Sequence, residues 1–181
     1  MTHQEAVSFI QNTVRASVPE SWADLGCGNG TFTRALIDLL PQGSHVTAVD
    51  REQQRLHMAG VTFVKANFEK EALTLTGLDG IMMANSIHYV SDKAPLIRKL
   101  ESLFAGSPRF LIIEYDTDKA NSWVPYPVSF HQLQTLFRDL GYEHISKLNE
   151  RPSAYGSGLM YCALITKYEW QEYSSPAPLT A

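Results

Sequence analysis

A doubly wound α/β fold, a mostly parallel sheet with helices on both faces, is predicted by three features of this 181-residue chain. An extended run ending in Trp22-Ala23-Asp24-Leu25 passes into a helix through Gly26-Cys27-Gly28-Asn29-Gly30-Thr31, with glycine at every second position. A second apolar run, from Ser44 to Val49, ends in an acid, Asp50, twenty residues beyond Gly30. Strand-like and helix-like segments then alternate, the order that winds a parallel sheet between two helical layers.

Before the first strand, Gln4 to Val18 carries Val7, Phe9, Ile10 and Val14 among polar residues, which predicts an amphipathic helix ended by Pro19. The helix after the glycine loop has Phe32, Ala35, Leu36, Leu39 and Leu40 at i, i+3, i+4, i+7 and i+8, and Pro41 and Gly43 stop it. Pro95 to Phe104 forms another helix, and Arg109 to Glu114 a buried strand. Ser129 caps a helix through Leu133, Leu136, Phe137 and Leu140 that stops at Gly141, where glycine suits the left-handed C′ position. Two last strands lie near His144–Leu148 and Leu159–Thr166, joined by the stretch Asn149 to Gly158. Residues 1–173 are expected to form one domain, and 174–181, with Pro176 and Pro178, a disordered tail.

A loop between strand and helix that is rich in glycine holds a ligand. Without Cβ atoms the backbone comes close to a bound molecule, and the following helix aims its free N–H groups at negative charge. A dinucleotide-binding turn reads G-x-G-x-x-G, but Thr31 stands where that pattern requires its last glycine. This departure weighs against a nicotinamide-dependent oxidoreductase. Asp50, at a strand terminus in an open α/β sheet, is placed to accept hydrogen bonds from both hydroxyls of a ribose. Together these elements suit a nucleoside carrying a further polar group.

Asp24-Leu25-Gly26-Cys27-Gly28-Asn29-Gly30 resembles the first motif of the class I S-adenosylmethionine-dependent methyltransferases, and Val49-Asp50 resembles their acidic second-strand end. Val61 to Phe68 is similar to their third strand and adenine-holding turn, and Leu78 to Val90 to their fourth strand and the loop beneath the transferred methyl. The likeness spans roughly residues 20 to 166. It implies a seven-stranded sheet closed by an antiparallel C-terminal hairpin, S-adenosylmethionine as cofactor and S-adenosylhomocysteine as product.

The resemblance also assigns roles. Gly26, Cys27, Gly28 and Gly30 would form the cofactor loop, and Asp24 would receive the ammonium or hold the loop N–H groups. Asp50 would take the ribose. Asn67, where many relatives carry aspartate, and the backbone N–H of Phe68 would meet adenine. Arg51 flanks the adenine or faces solvent, and Asn85 would face the methionine end. His88 carries an imidazole able to take a proton from an acceptor, although in such proteins a histidine turn here also simply packs the strand-to-helix connection. Glu114 and Asp116 border the substrate side and His131 opens the next helix, each a further candidate base. Tyr89, Trp123 and Tyr126 offer aromatic surface for an acceptor, with loop packing the plainer alternative for Trp123 and Tyr126. Arg151 and Tyr155 would bind an acidic substrate group or stand as lone surface residues.

Composition narrows the partners. Fifteen basic against nineteen acidic side chains, without a Lys/Arg cluster, offer little counter-charge for a phosphate backbone, so no nucleic acid is expected. No apolar run reaches the ~18 residues that span a bilayer, and Met1-Thr2-His3-Gln4-Glu5 lacks a basic leader, so a cytoplasmic enzyme is expected. Cys27 and Cys162 lack ligand-like spacing, which predicts reduced thiols and no metal. The predicted activity is methyl transfer to a small-molecule acceptor by in-line displacement, as a monomer or homodimer. The alternative is a non-catalytic S-adenosylmethionine-binding or sensing protein that acts through a protein partner.

Overall fold

The computed structural model describes residues 1–14, 17–153 and 158–168, so Tyr155 and the 174–181 segment lie outside the described residues. Its strands are β1 (Ser21–Leu25), β2 (His45–Asp50), β3 (Val61–Lys65), β4 (Gly80–Ala84), β5 (Arg109–Asp116), β6 (His144–Pro152) and β7 (Leu159–Thr166). They form one sheet in the order β3-β2-β1-β4-β5-β7-β6. The first five run parallel, while β7 is antiparallel to both β5 and β6. The strand order therefore reverses between β1 and β4, which opens a crevice at their carboxyl ends.

Two apolar layers hold helices against this sheet. The strand alternation sends Trp22, Val46, Met82, Leu111, Ile113 and Cys162 to one face, where α1 (His3–Ile10) and α2 (Thr31–Leu39) pack through Ala6, Phe9, Ile10, Phe32, Ala35 and Leu36. Ala23, Leu25, Ile81, Met83, Phe110 and Ile112 face the other way, under α3 (Lys93–Glu101) and α4 (Phe130–Asp139). Capping follows local chemistry. Ser129 and Gln132 form a reciprocal capping box at α4, and Thr2 and Glu5 form another at α1.

Two expectations change. The first helix ends at Ile10 rather than near Val18, because the Thr13 hydroxyl donates to the Ile10 carbonyl at 2.6 Å and competes with helix continuation. Among the described residues no helix joins β2 to β3 or β3 to β4. The β2–β3 connection, Arg51 to Gly60, is mostly polar, without the apolar stripe a packed helix needs, and Leu56 and Met58 instead lie over Gly30.

At the amino-terminal edge of the sheet, Gly80 on β4 pairs with Trp22 on β1, and the fully buried indole lies across the glycine. A Cβ there would sit 2.5 Å from three indole carbons. Gly80→Ala is therefore expected to destabilise the fold by about 1–3 kcal/mol through overpacking, measured as a shift in the urea unfolding midpoint at unchanged slope.

Candidate functional site

At the crevice, the chain leaves β1 and is caught at once by β2. The N–H groups of Gly26 and Cys27 both donate to the Val49 carbonyl, at 2.8 and 3.0 Å, and the Gly28 N–H donates to Oδ2 of Asp50 at 2.9 Å. These bonds curl the loop around the end of β2. The conformation needs glycine at Gly26, whose φ is +82° and whose missing Cβ would run into Ser86. Gly28, at φ +50°, has open space where its Cβ would be. Ser86 locks the arrangement from β4's side by donating its hydroxyl to the Leu25 carbonyl at 2.6 Å.

The loop forms one wall of a cavity of about 610 Å³, within the usual range for small-molecule sites. Every strand that ends at this edge contributes. Asp24, Asp50, the Asn67–Phe68 turn, Asn85, Tyr115, Arg151 and Met160 line it, together with Cys27, Gly28, Arg51 and Tyr89. Gly30 does not; it starts α2 in the left-handed conformation, backed by Leu56.

Asp24 is the electrostatic anomaly. It is 1% exposed, its Oδ2 accepts the Thr33 hydroxyl at 2.6 Å, and Oδ1 has no partner among the described residues. Burial raises its pKa; the Thr33 bond offsets part of this, the Asp50 charge adds to it, and the result is about 7. The same surroundings, burial first and then the charges of Asp24 and Asp50, push the Cys27 thiol up to about 12, so it stays protonated and is no nucleophile. Asn85 shows a second irregularity. It follows β4 with φ +53°, anchored by its N–H on the Ile113 carbonyl, and its buried Oδ1 has no described partner. Strained backbone with a spare polar atom is typical of a ligand contact.

Asn67 is partly committed elsewhere. Its Oδ1 accepts the N–H groups of Glu69 and Lys70, and its own N–H donates to Glu71, so its side chain mainly shapes the turn that carries Phe68. Asp50 keeps more capacity. Among the described residues its oxygens accept the Gly28 and Glu52 N–H groups, which leaves further lone pairs on a carboxylate that lines the cavity.

His88 and Glu114 come together, but behind the cavity wall. His88 Nδ1 lies 2.8 and 2.9 Å from the two Glu114 oxygens. Both side chains are at most 3% exposed, and neither lines the cavity. Strand alternation explains this: Glu114 follows Phe110 and Ile112 to the α3/α4 face, whereas Tyr115 follows Leu111 and Ile113 to the other. Tyr89, its ring 4.3 Å from that of His88, does reach the cavity. Trp123 and Tyr126, 79% and 47% exposed, sit outside it on a loop pinned by Tyr126 N–H to the His88 carbonyl and by Lys93 to the Tyr126 carbonyl. Asp116 caps the start of α4 through Phe130 N–H and binds Lys147.

Sequence reasoning missed Thr33, Ser86, Tyr115 and Met160. A hydroxyl in the first turn of α2 or a residue opposite another strand gives no local signal; only the packed fold reveals them.

Glycine loop, acidic strand end and crevice at the switch point together define the class I methyltransferase fold. A family model described as "Methyltransferase domain" matches residues 20–173, and the chain belongs to that family. A search of curated proteins found no match. Among solved structures, a SAM-dependent methyltransferase from Archaeoglobus fulgidus is 14% identical with a TM-score of 0.67, covering 92% of this chain and 95% of its own. Another from Aquifex aeolicus is 18% identical with a TM-score of 0.59, covering 81% and 80%. Human N-acetylserotonin methyltransferase, in complex with SAM, is 17% identical with a TM-score of 0.66 over 89% of this chain, which spans about half of the human protein's length, 51%.

The buried Asp24 has a measurable consequence. Its pKa is raised from 3.8 to about 7 on folding, so the folded state binds the proton more tightly, and stability falls as pH rises between those values. Asp24→Asn is expected to stabilise the ligand-free protein by up to about 4 kcal/mol at pH 8 relative to its effect at pH 4, measured by urea titrations at both pH values.

Proposed function

We propose that the protein is an S-adenosylmethionine-dependent methyltransferase whose acceptor is a small molecule, with in-line transfer of the methyl group. The carrying observation is the glycine loop closed by Gly28 on Asp50, with the unpartnered Asp24 oxygen beside it. These groups fit the cofactor's chemistry. Asp24 meets the ammonium, the spare lone pairs of Asp50 accept the ribose hydroxyls, and the open space at Gly28 admits the ligand against the backbone. The Asn67–Phe68 turn, beside Arg51, would hold the adenine. Asn85, whose Oδ1 has no partner among the described residues, would hold the methionine end.

S-adenosylmethionine, when bound, supplies a methyl on positive sulfur: the acceptor's lone pair forms the new bond as the C–S pair stays behind on a neutral thioether. The chain's contribution is alignment and exclusion of water. No acid is required for the leaving group. His88 and Glu114 serve as a buried brace that fixes Tyr89 at the cavity wall. A proton lost by the acceptor passes to solvent through the open mouth.

Catalysis is favoured over a purely sensing role by one observation. The cavity lining runs on beyond Asn85 to Tyr115, Met160 and Arg151, side chains to which no part of the cofactor is assigned. The protein has no helix among its described residues long and apolar enough to cross a membrane.

Calorimetric titration with S-adenosylmethionine and S-adenosylhomocysteine tests the reading. Asp50→Ala is expected to weaken binding roughly 100-fold, the loss of two charge-assisted bonds. No binding by the folded wild type would overturn the reading. Because the ammonium pairs with ionised Asp24, whose pKa in the ligand-free protein is about 7, affinity is expected to fall toward tenfold per pH unit below that value. The same titrations in buffers of different ionisation enthalpy should report proton release.

A further inference from the structure

We infer that Arg151 anchors a carboxylate on the methyl acceptor, and that the acceptor is a small aromatic or otherwise planar acid. This rests on the methyltransferase reading and specifies its second substrate.

The placement comes from strand register. Tyr115 on β5 pairs with Met160 on β7, and Met160 pairs with Arg151 on β6. Directly paired residues project to the same face, so these three side chains form a row across neighbouring strands. All three line the cavity. They occupy its end farthest along the sheet from β2 and β3, where the cofactor groups lie, with β1 and β4 between.

Charge is divided between the two ends. The acids that line the cavity, Asp24, Asp50, Glu52 and Glu69, all belong to the β1–β3 side. Arg51 shares that side and is largely exposed beside Glu52. Arg151 is a side-chain cation of the opposite end, where among the described residues no carboxylate lines the wall. Its described partner lies outside the cavity: Nη2 contacts Oε1 of Glu5 at 3.0 Å, with the Arg151 side chain 28% exposed. The rest of the five-donor fork has no described partner. A planar guanidinium in this state takes a carboxylate in two parallel hydrogen bonds.

The walls select the body of the molecule. Tyr115, Met160 and Tyr89 offer two aromatic rings and a polarizable thioether, which suit a flat ring between them. A cavity of about 610 Å³ that also holds the cofactor leaves room for a small acceptor only. The carboxylate held by Arg151 is not the attacking group, because its lone pairs are engaged. The methyl goes to a separate nucleophilic atom on the same molecule. Amines carrying a net positive charge are disfavoured by the same cation.

The test uses the full chain saturated with S-adenosylhomocysteine. Binding of 4-hydroxybenzoate and 4-hydroxyphenylacetate is measured by calorimetry and saturation-transfer NMR against their uncharged amides and against tyramine. The expected result is at least tenfold tighter binding of the acids, a preference lost in Arg151→Gln and partly kept in Arg151→Lys. Glu5→Gln, which removes the guanidinium's outside partner, should keep or increase the preference. Equal binding of acids and amides, no binding of either, or an unchanged preference in Arg151→Gln would overturn the inference. Saturation with S-adenosylhomocysteine is read separately, so failure at that step sinks the methyltransferase reading, whereas intact cofactor binding without acid preference sinks only the acceptor assignment.

Discussion

One hydrogen bond organises the site: the Gly28 N–H on the Asp50 carboxylate, 2.9 Å long, joining the loop after β1 to the end of β2. It depends on the parallel register that sets Leu25 opposite Val49, since only then do Gly26, Cys27 and Gly28 arrive in turn at the Val49 carbonyl and the Asp50 side chain. A one-residue slip would send every side chain of β1 to the wrong layer and carry the loop past its anchors. The two helical layers enforce that register from outside. Trp22 must enter the α1/α2 layer and Ala23 and Leu25 the other, so the packing of the core and the shape of the ligand loop are one constraint.

The same loop carries an energetic burden. Asp24 is buried with one oxygen that has no partner among the described residues, an arrangement that costs the fold and that a neighbouring cation would offset. Asn85, in the left-handed region with its own unpartnered oxygen, adds a second cost at the facing strand end. Both lie on rigid elements, one on β1 and one anchored to β5 through Ile113, so neither relaxes by moving.

Much of this was legible in the chain. The glycine spacing, the acid that ends β2 and the 3.6-residue periodicity of α2 and α4 are local signals, each written within a dozen residues, and the elements they predict are present. The α1 boundary was less legible because a side-chain bond from Thr13 outweighs the periodic pattern through Val14. The acceptor end was hardest to read. Glu114 and Tyr115 are neighbours in sequence, yet the strand sends the acid into the α3/α4 layer to meet His88 and the phenol toward the cavity. Which of two adjacent residues faces a ligand is decided by β-sheet parity, and parity is set by distant pairing. Arg151 and Met160, in β6 and β7, become neighbours of Tyr115 only through that pairing.

The reversal of β7 divides the labour of the rim. Because β7 runs opposite to β5, its first residues, Leu159 and Met160, emerge at the same edge as the last residues of the parallel strands. A late hairpin thus supplies part of one end of the cavity while sharing no strand pairing with β1, β2 or β3. Change in the stretch around Arg151 and Met160 can alter what the chamber accepts without disturbing the loop that Gly28 and Asp50 close. The architecture is modular within a single sheet, with one half of the crevice free to diversify while the glycine loop of the other half stays closed.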